Sequence, residues 1–280
     1  MSSRSIAITG ATGFIGSELV RYYLEKEWRV IGMARNKIDF NDENFSYLYY
    51  VLENTPDFSR LEKVDAIIHC AYTPWKEDRQ DANTINSKAT MELAEFCKKT
   101  NKKFVFLSSF SAHEHASSNY GKHKLELEKK LCDAHLVIKP GLVLGNGGLY
   151  ASMSKLVSEK KIIPVIGNGD YPIQVTTIEA LCKSISYGIE KNFTGVYPIA
   201  SAESISFLFL LEAIARNNNV SPFLIFIPVF LIRILLKLFN RKIPFSEENL
   251  KGLTQSIVID TKESLEKFEL EINPEMILKK

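Results

Sequence analysis

Neither an excess of one charge nor a cysteine pattern occurs in this sequence. Lys and Arg number 35 against 33 Asp and Glu, a formal net charge of +2 with neutral histidine. So flat a balance offers no field for nucleic acid, and no basic stripe of the needed density appears. The four cysteines, Cys70, Cys97, Cys132 and Cys182, stand far apart with no CxxC pair. That excludes a disulfide framework and reads as reduced, partly buried thiols of a cytoplasmic protein. After Arg4 the apolar stretch is only Ile6-Ala7-Ile8 before Thr9-Gly10, too short for a secretion signal. Internal repeats and low-complexity linkers are also missing.

Long uncharged hydrophobic runs are scarce as well. The nearest is Phe223 to Phe239, FLIFIPVFLIRILLKLF, which Pro228, Arg233 and Lys237 interrupt. A bilayer span needs about 20 mostly uncharged residues. Arg233 and Lys237 are four apart and share one helical face, while Ile232, Leu235, Leu236 and Phe239 face elsewhere. The first reading is an amphipathic helix that is buried or forms a lid. The alternative is a helix lying on an anionic membrane surface.

What is present is an ordinary globular composition, 45% hydrophobic and 24% charged, which excludes wholesale disorder. At about 150 residues per domain, 280 residues make one large domain or two closely joined ones. Strand-like runs at Ser5–Thr9, Arg29–Met33, Tyr47–Leu52, Ala66–His69, Lys103–Leu107 and Leu136–Lys139 alternate with helical spacing at Phe14–Tyr23, Asn83–Lys98 and Tyr120–Leu131. That alternation predicts an α/β fold, a doubly wound parallel sheet covered on both faces. Ligands of such sheets sit at the carboxyl ends of the strands, where strand order reverses. The Gly10 loop, the segments after His69 and Leu107, and the Pro140 loop are expected there. After Gly145 the alternation becomes irregular, as a smaller domain would.

Gly10-Ala11-Thr12-Gly13-Phe14-Ile15-Gly16 follows the first strand and opens the first helix. Gly10 permits a tight turn, Gly13 lets the backbone approach a pyrophosphate, and Gly16 allows helix and strand to pack closely. The helix N-terminus adds N–H groups and positive potential. A carboxylate usually ends the second strand when the adenosine ribose carries a free 2′-OH. Arg35 stands there instead, with Lys37 two residues on. A guanidinium grips a 2′-phosphate, so NADP is expected over NAD. Asp39 would reverse that preference if its loop folds back.

Tyr120 and Lys124, at i and i+4 on the helix after the strand that ends in Ser108-Ser109, share one face. A nearby ammonium favours phenolate, so Lys124 is expected to lower the phenol's pKa from about 10 toward working pH, letting Tyr120 exchange a proton at a carbonyl or alcohol oxygen. Ser109 would hold that oxygen, with Ser111 as the fallback. Tyr187 and Lys191 repeat the spacing, but no serine-ended strand precedes them.

These motifs together resemble the extended short-chain dehydrogenase/reductase family, of the nucleotide-sugar epimerase/dehydratase type. GATGFIG, DAIIHCAY, NTINSKATMEL, FLSSFSA, YGKHK and KPGLVLG match in order. The resemblance implies a Rossmann-like fold with a smaller C-terminal substrate-binding domain. It assigns 1–145 plus 174–200 to the dinucleotide-binding domain and 146–173 plus 201–280 to the substrate domain. It implies cofactor contacts from Gly10, Thr12, Gly13, Phe14, Ile15, Gly16, Arg35, Cys70, Ala71, Tyr72, Tyr120, Lys124, Pro140 and Leu142. Catalysis would fall to Ser109, Tyr120 and Lys124, with Asn86 structuring the site. GVYPIA would be the last main strand, and IVIDTKESLEKFEL a closing strand and helix. A homodimer is implied too, with Leu125, Leu127 and Leu131 able to pack a partner helix.

The sequence also departs from that pattern. The adenine-contacting aspartate has no clean match around Glu53 and Asn54, and Lys139 replaces a common arginine. No Thr-Asp-Glu triplet follows the fifth strand, which disfavours dehydration. His113 and His115 lack a third ligand, and no metal is expected. His69 reads as packing, His123 as facing away from the Tyr120–Lys124 edge, and Glu126 to Lys130 as a solvated helical face. The function expected first is an NADPH-dependent 4-keto-sugar reductase acting on a nucleotide-sugar. The alternatives are a nucleotide-sugar 4-epimerase with tightly bound NAD, or a non-catalytic NADP-binding sensor or scaffold.

Overall fold

The computed structural model describes residues 4–74, 81–239 and 247–278, and places side chains for all of these except 235, 237–239 and 276–277. The expected orientations of Leu235, Lys237 and Phe239 lie outside the described side chains. In chain order the elements are β1 (Ser5–Thr9), α1 (Phe14–Glu25), β2 (Arg29–Ala34), β3 (Phe45–Tyr49), β4 (Ala66–His69), α2 (Ala82–Lys99), β5 (Lys103–Leu107), α3 (Asn119–Leu131), β6 (Leu136–Pro140) and β7 (Leu142–Leu144). Next come α4 (Gly148–Glu159), β8 (Ile162–Ile166), β9 (Pro172–Ile173), β10 (Val175–Thr177), α5 (Ile178–Glu190), β11 (Gly195–Ile199) and β12 (Ile205–Ser206). The chain ends with α6 (Phe207–Asn217), β13 (Phe223–Ile227), α7 (Val229–Phe239), α8 (Glu247–Thr254), α9 (Lys262–Lys267) and α10 (Pro274–Leu278).

The chain divides into two compact units. The first holds residues 1–108, 123–139 and 178–197; the second holds 109–122, 140–177 and 198–280.

Seven strands form one sheet in the order β11-β6-β5-β4-β1-β2-β3. The pairings from β3 through β2, β1, β4 and β5 to β6 are all parallel. The central strands read as apolar runs rather than alternating ones, because helices cover both faces. Ile6, Ala7, Ile8, Ala66, Ile67 and Ile68 are fully buried. Order runs 3-2-1 to one side of β1 and 4-5-6 to the other, so the switch point lies between β1 and β4. β3 begins two residues before its expected start, because it pairs Phe45 with Val30 and Tyr49 with Ala34.

Leu93, Ala94 and Cys97 of α2 and Leu127 and Leu131 of α3 pack with Phe104 and Phe106 of β5 in one core. This corrects the reading of Leu127 and Leu131 as partner-facing residues, since the sheet already covers them. Among the described residues six connections turn on a non-glycine residue with positive φ: Glu27, Asn41, Asn101, Asn192, Asn219 and Glu269. Four are asparagine, whose short polar side chain tolerates that conformation.

In the second unit the irregular stretch resolves into three two-stranded sheets: β7 with β10, β8 with β13 in parallel, and β9 with β12 antiparallel. The core beneath them gathers Val157 of α4, Val165 of β8, Val175 of β10 and Leu210, Leu211 and Ile214 of α6. The expected closing strand is not formed: Ile257 to Asp260 has no strand assignment. Its backbone is held by one side chain instead. Gln174 Nε2 donates to the Ile259 carbonyl at 2.9 Å, and Ile259 N–H donates to Gln174 Oε1 at 2.8 Å.

Candidate active site

In the first unit, the turn after β1 is built by close backbone approach. Gly10 has φ +68°, and a Cβ there would lie 2.9 Å from the Ala71 nitrogen. A Cβ at Gly16 would lie 2.2 Å from the Gly10 carbonyl oxygen, so α1 rests directly on the turn. Gly13 differs: a Cβ there would meet only that carbonyl, at 3.2 Å. The Gly13 N–H donates to the Gly10 carbonyl at 2.8 Å, which closes the turn. Gly13 caps α1 without a side-chain bond, so no side chain competes for the N–H groups of Phe14 and Ile15, and main-chain donors there fit the pyrophosphate of a dinucleotide.

The neighbouring loop is tied to the same turn. Thr9 Oγ1 accepts from the Ala71 N–H at 3.1 Å and shares a 2.8 Å bond with His69 Nδ1. His69 is buried between Phe104 and Phe106, and burial, with Lys124 adding to it, lowers its pKa to about 3. The ring is therefore neutral and structural. Cys70 is a neutral thiol, pushed up to about 12 by burial. Asn86, buried on α2, clamps the loop with both ends of its amide. Thr73 N–H donates to its Oδ1 at 2.9 Å, and its Nδ2 donates to the Thr73 carbonyl at 2.8 Å. Tyr72 Oη lies 3.0 Å from His123 Nδ1, whose Nε2 lies 2.8 Å from Ser87 Oγ. His123, buried and held below its ordinary pKa by burial and by Lys124, thus fixes Tyr72 to α2.

Lys124 is 4% exposed, and its Nζ donates to the Leu107 carbonyl at 2.6 Å. The ammonium lies 4.5 Å from the Tyr72 ring centre and 4.4 Å from that of Phe106. Burial lowers its pKa to about 7, against the opposing pull of Cys70 and Glu128. Tyr120 stands one turn earlier on α3.

In the second unit, α3 opens against the loop that follows the serines. A Cβ on Gly121 would come within 2.2 Å of the Ser111 carbonyl. Ser118 Oγ accepts from Gly121 N–H at 3.0 Å, and Glu248 of α8 accepts from the Tyr120 N–H at 3.4 Å. Ser109 Oγ accepts from Ser111 N–H at 3.2 Å, and Phe110 N–H donates to the Pro140 carbonyl at 3.1 Å. Leu142 follows Gly141, where a Cβ would meet the Gln174 carbonyl at 2.3 Å. Ser109, Pro140 and the start of α3 are thereby tied into one set of loops.

Arg35 is exposed just beyond β2, and its carbonyl accepts from Tyr47 Oη at 3.4 Å. Asp39 is engaged in its own loop, where its Oδ1 accepts from Asn41 N–H at 2.9 Å.

One cluster escaped the sequence reading. Glu128 is buried, accepts a short bond from Ser108 Oγ, and pairs with Lys139 at 3.1 Å. The solvated-face reading of Glu126 to Lys130 fails at this position, because α3 turns Glu128 inward with Leu127 and Leu131. Its partners lie 20 and 11 residues away, beyond the reach of any local spacing rule.

Residues 6–133 match the model of the NAD dependent epimerase/dehydratase family. Over 297 aligned positions the chain is 24% identical to a UDP-glucose 4-epimerase of Vibrio cholerae, covering 94% of this chain and 90% of that protein. A ceramide reductase of Caulobacter vibrioides is 25% identical over 190 positions, 65% of this chain and 60% of that one. The solved UDP-glucose 4-epimerase of Thermotoga maritima superposes with a TM-score of 0.76 at 19% identity, covering 98% of this chain and 96% of that one. A parallel sheet in 3-2-1-4-5-6 order, a glycine turn at its switch point and these matches agree. Over residues 6–133 the chain is similar to the NAD dependent epimerase/dehydratase family, and its fold is the one seen in the solved 4-epimerase.

Proposed function

We propose that the protein exchanges hydride at a hydroxyl-bearing carbon of a nucleotide-sugar, inverting C4 with a retained NAD. The observation that carries this reading is Lys124, buried at the end of β5 on the helix that bears Tyr120. The near full-length likeness to the Vibrio cholerae 4-epimerase supports the choice of substrate and outcome. The turn from Gly10 to Gly16 would hold the pyrophosphate, with Cys70, Ala71 and Tyr72 alongside. A bound nicotinamide supplies the hydride acceptor and donor.

The chain's own residues then handle the proton. Tyr120, as phenolate, takes the hydroxyl proton while the C–O bond becomes a carbonyl, and returns it on re-reduction. Lys124 in its ammonium form favours that phenolate. Ser109 donates a hydrogen bond to the reacting oxygen, and Asn86 holds the Thr73 backbone in place.

A second reading, net reduction of a keto group by NADPH, is favoured by Arg35. Its exposed guanidinium at the end of β2 suits a 2′-phosphate better than a 2′-hydroxyl. The Caulobacter relative supports reduction as a direction of reaction.

Denaturing the purified protein and identifying the released nicotinamide separates the two. Stoichiometric NAD, with conversion of UDP-glucose to its C4 epimer, supports epimerisation. Little retained cofactor with a clear preference for added NADPH overturns it in favour of reduction. Under that outcome Arg35→Asp should shift preference toward NADH.

A further inference from the structure

Helix α7 is apolar on more sides than its core covers. Val229, Ile232 and Leu236 form one stripe, packed with Ile166, Ile227 and Leu250. Phe230, Leu231 and Ile234 are 61%, 41% and 48% exposed. At 100° per residue these three lie opposite the packed stripe. The sequence expectation of a buried helix therefore holds for one side of α7 only.

The ribbon that leads into α7 repeats the pattern. β13 pairs with β8 in parallel register, Phe223 beside Ile162 and Ile225 beside Pro164. Phe223 is 69% exposed, and Ile162 and Ile225 on the same face of the ribbon are exposed as well. Ribbon and helix share one small core through Ile166 and Ile227, so their outward residues belong to one region of the second unit. Exposed apolar side chains grouped in this way point to a docking face rather than to ordinary scatter.

Its charge identifies the occupant. Lys160 and Lys161 lead into β8 and Arg233 lies on α7, all exposed and without an ion pair among the described residues. Of the acids on adjoining elements, Glu159 pairs with Lys155, Asp170 bonds Asn168, Glu247 and Glu248 pair with Lys251, and Glu212 of α6 is exposed. Between Glu212 and Glu247 the sequence contains no Asp or Glu at all. Among the described residues no helix is long and apolar enough to cross a membrane.

We propose that this face docks on the surface of an anionic phospholipid bilayer, with Phe223, Ile225 and Phe230 entering the boundary between headgroups and acyl chains. Bulky apolar side chains flanked by unpaired Lys and Arg are what such a boundary accepts. Anionic headgroups contribute about fivefold in affinity for each nearby basic residue. A second copy of the chain fits less well, because a two-fold contact sets Lys160, Lys161 and Arg233 against a surface of the same sign.

The test is co-sedimentation of the full chain with vesicles of phosphatidylcholine and phosphatidylglycerol at 3:1, and with pure phosphatidylcholine. Pelleting with the anionic vesicles, weaker with the neutral ones, is the expected result. The pair Phe223→Ser with Phe230→Ser should lower the partition coefficient by about tenfold or more. The pair Lys160→Glu with Lys161→Glu should remove the preference for phosphatidylglycerol. Both variants should bind dinucleotide and melt as the parent does, since all four side chains are exposed. Failure to pellet with anionic vesicles overturns the proposal, as does pelleting that both variants leave unchanged. So does concentration-dependent self-association abolished by the Phe pair, which assigns the face to a second copy. None of these outcomes depends on which sugar or cofactor the enzyme uses.

Discussion

The Lys124 Nζ donates to the Leu107 carbonyl across 2.6 Å, which anchors α3 to the end of β5. That bond keeps an ammonium at the carboxyl edge of the sheet, yet burial lowers its pKa to about 7. Near neutral pH the group is poised between its two forms.

Stability of the cofactor-free protein should reflect this. A lysine whose folded pKa is depressed binds fewer protons in the folded state than in the unfolded one. Stability therefore rises as pH climbs from about 7 toward 10.5. Above about pH 9 the half-buried thiol of Cys70 and the buried thiols of Cys97 and Cys182, each raised to about 12, act in the opposite direction. Between pH 7 and pH 9 the wild type should gain about 2 kcal/mol relative to Lys124→Met, read from urea melts at the two values. Parallel curves for the two proteins would place the lysine in a more solvated state.

Replacing Tyr120 with Phe should remove the proton-exchanging oxygen and leave the helix intact. Turnover should fall by about 10²- to 10⁴-fold. Fluorescence titration should show dinucleotide affinity within a fewfold of the parent. Unchanged turnover would assign the proton transfer to another group.

The three glycines that open helices or lean on loops should separate by phenotype. Gly16→Ala and Gly121→Ala drive a Cβ into a main-chain carbonyl at 2.2 Å and should destabilise by about 1–3 kcal/mol or more. Gly13→Ala meets only one oxygen at 3.2 Å. It should melt close to wild type while weakening dinucleotide binding at the α1 N-terminus. Thermal melts set beside cofactor titrations decide between these effects.

The Glu128–Lys139 pair should behave as a buried ion pair does. Removing one partner, as in Glu128→Ala, leaves the Lys139 charge without its counter-ion and should cost about 3–5 kcal/mol. Glu128→Leu combined with Lys139→Met should recover most of that loss, because the pair's desolvation is relieved together with its attraction. A double variant no more stable than the single one would show that the Ser108 contact matters more.

Much of the sheet was legible because its signal is local. Ile6-Ala7-Ile8, Ile67-Ile68 and Val105-Phe106-Leu107 are continuous apolar runs that stop at glycine or polar clusters. A strand buried on both faces needs such a run, and its neighbours in sequence mark where it ends. Tyr120 and Lys124 were legible for the same reason, since four residues along a helix is one turn. Other features carry no such mark. Glu128 looked like one more charge in a solvated run until Ser108 and Lys139 were brought beside it. His123 was set aside as facing away, and only folding set Tyr72 and Ser87 against its two nitrogens. The closing strand expected at Ile257–Asp260 gave way to a bond from Gln174, 85 residues earlier in the chain.

Amino-acid order alone therefore settled what depends on near neighbours: the strands and helices, the glycine turn and the Tyr120–Lys124 spacing. Periodicity and backbone sterics act over a few residues. The ionisation of Lys124, the roles of His123 and Glu128, and the uncovered side of α7 were decided by tertiary structure. Each depends on which groups are excluded from water, and by which distant partners.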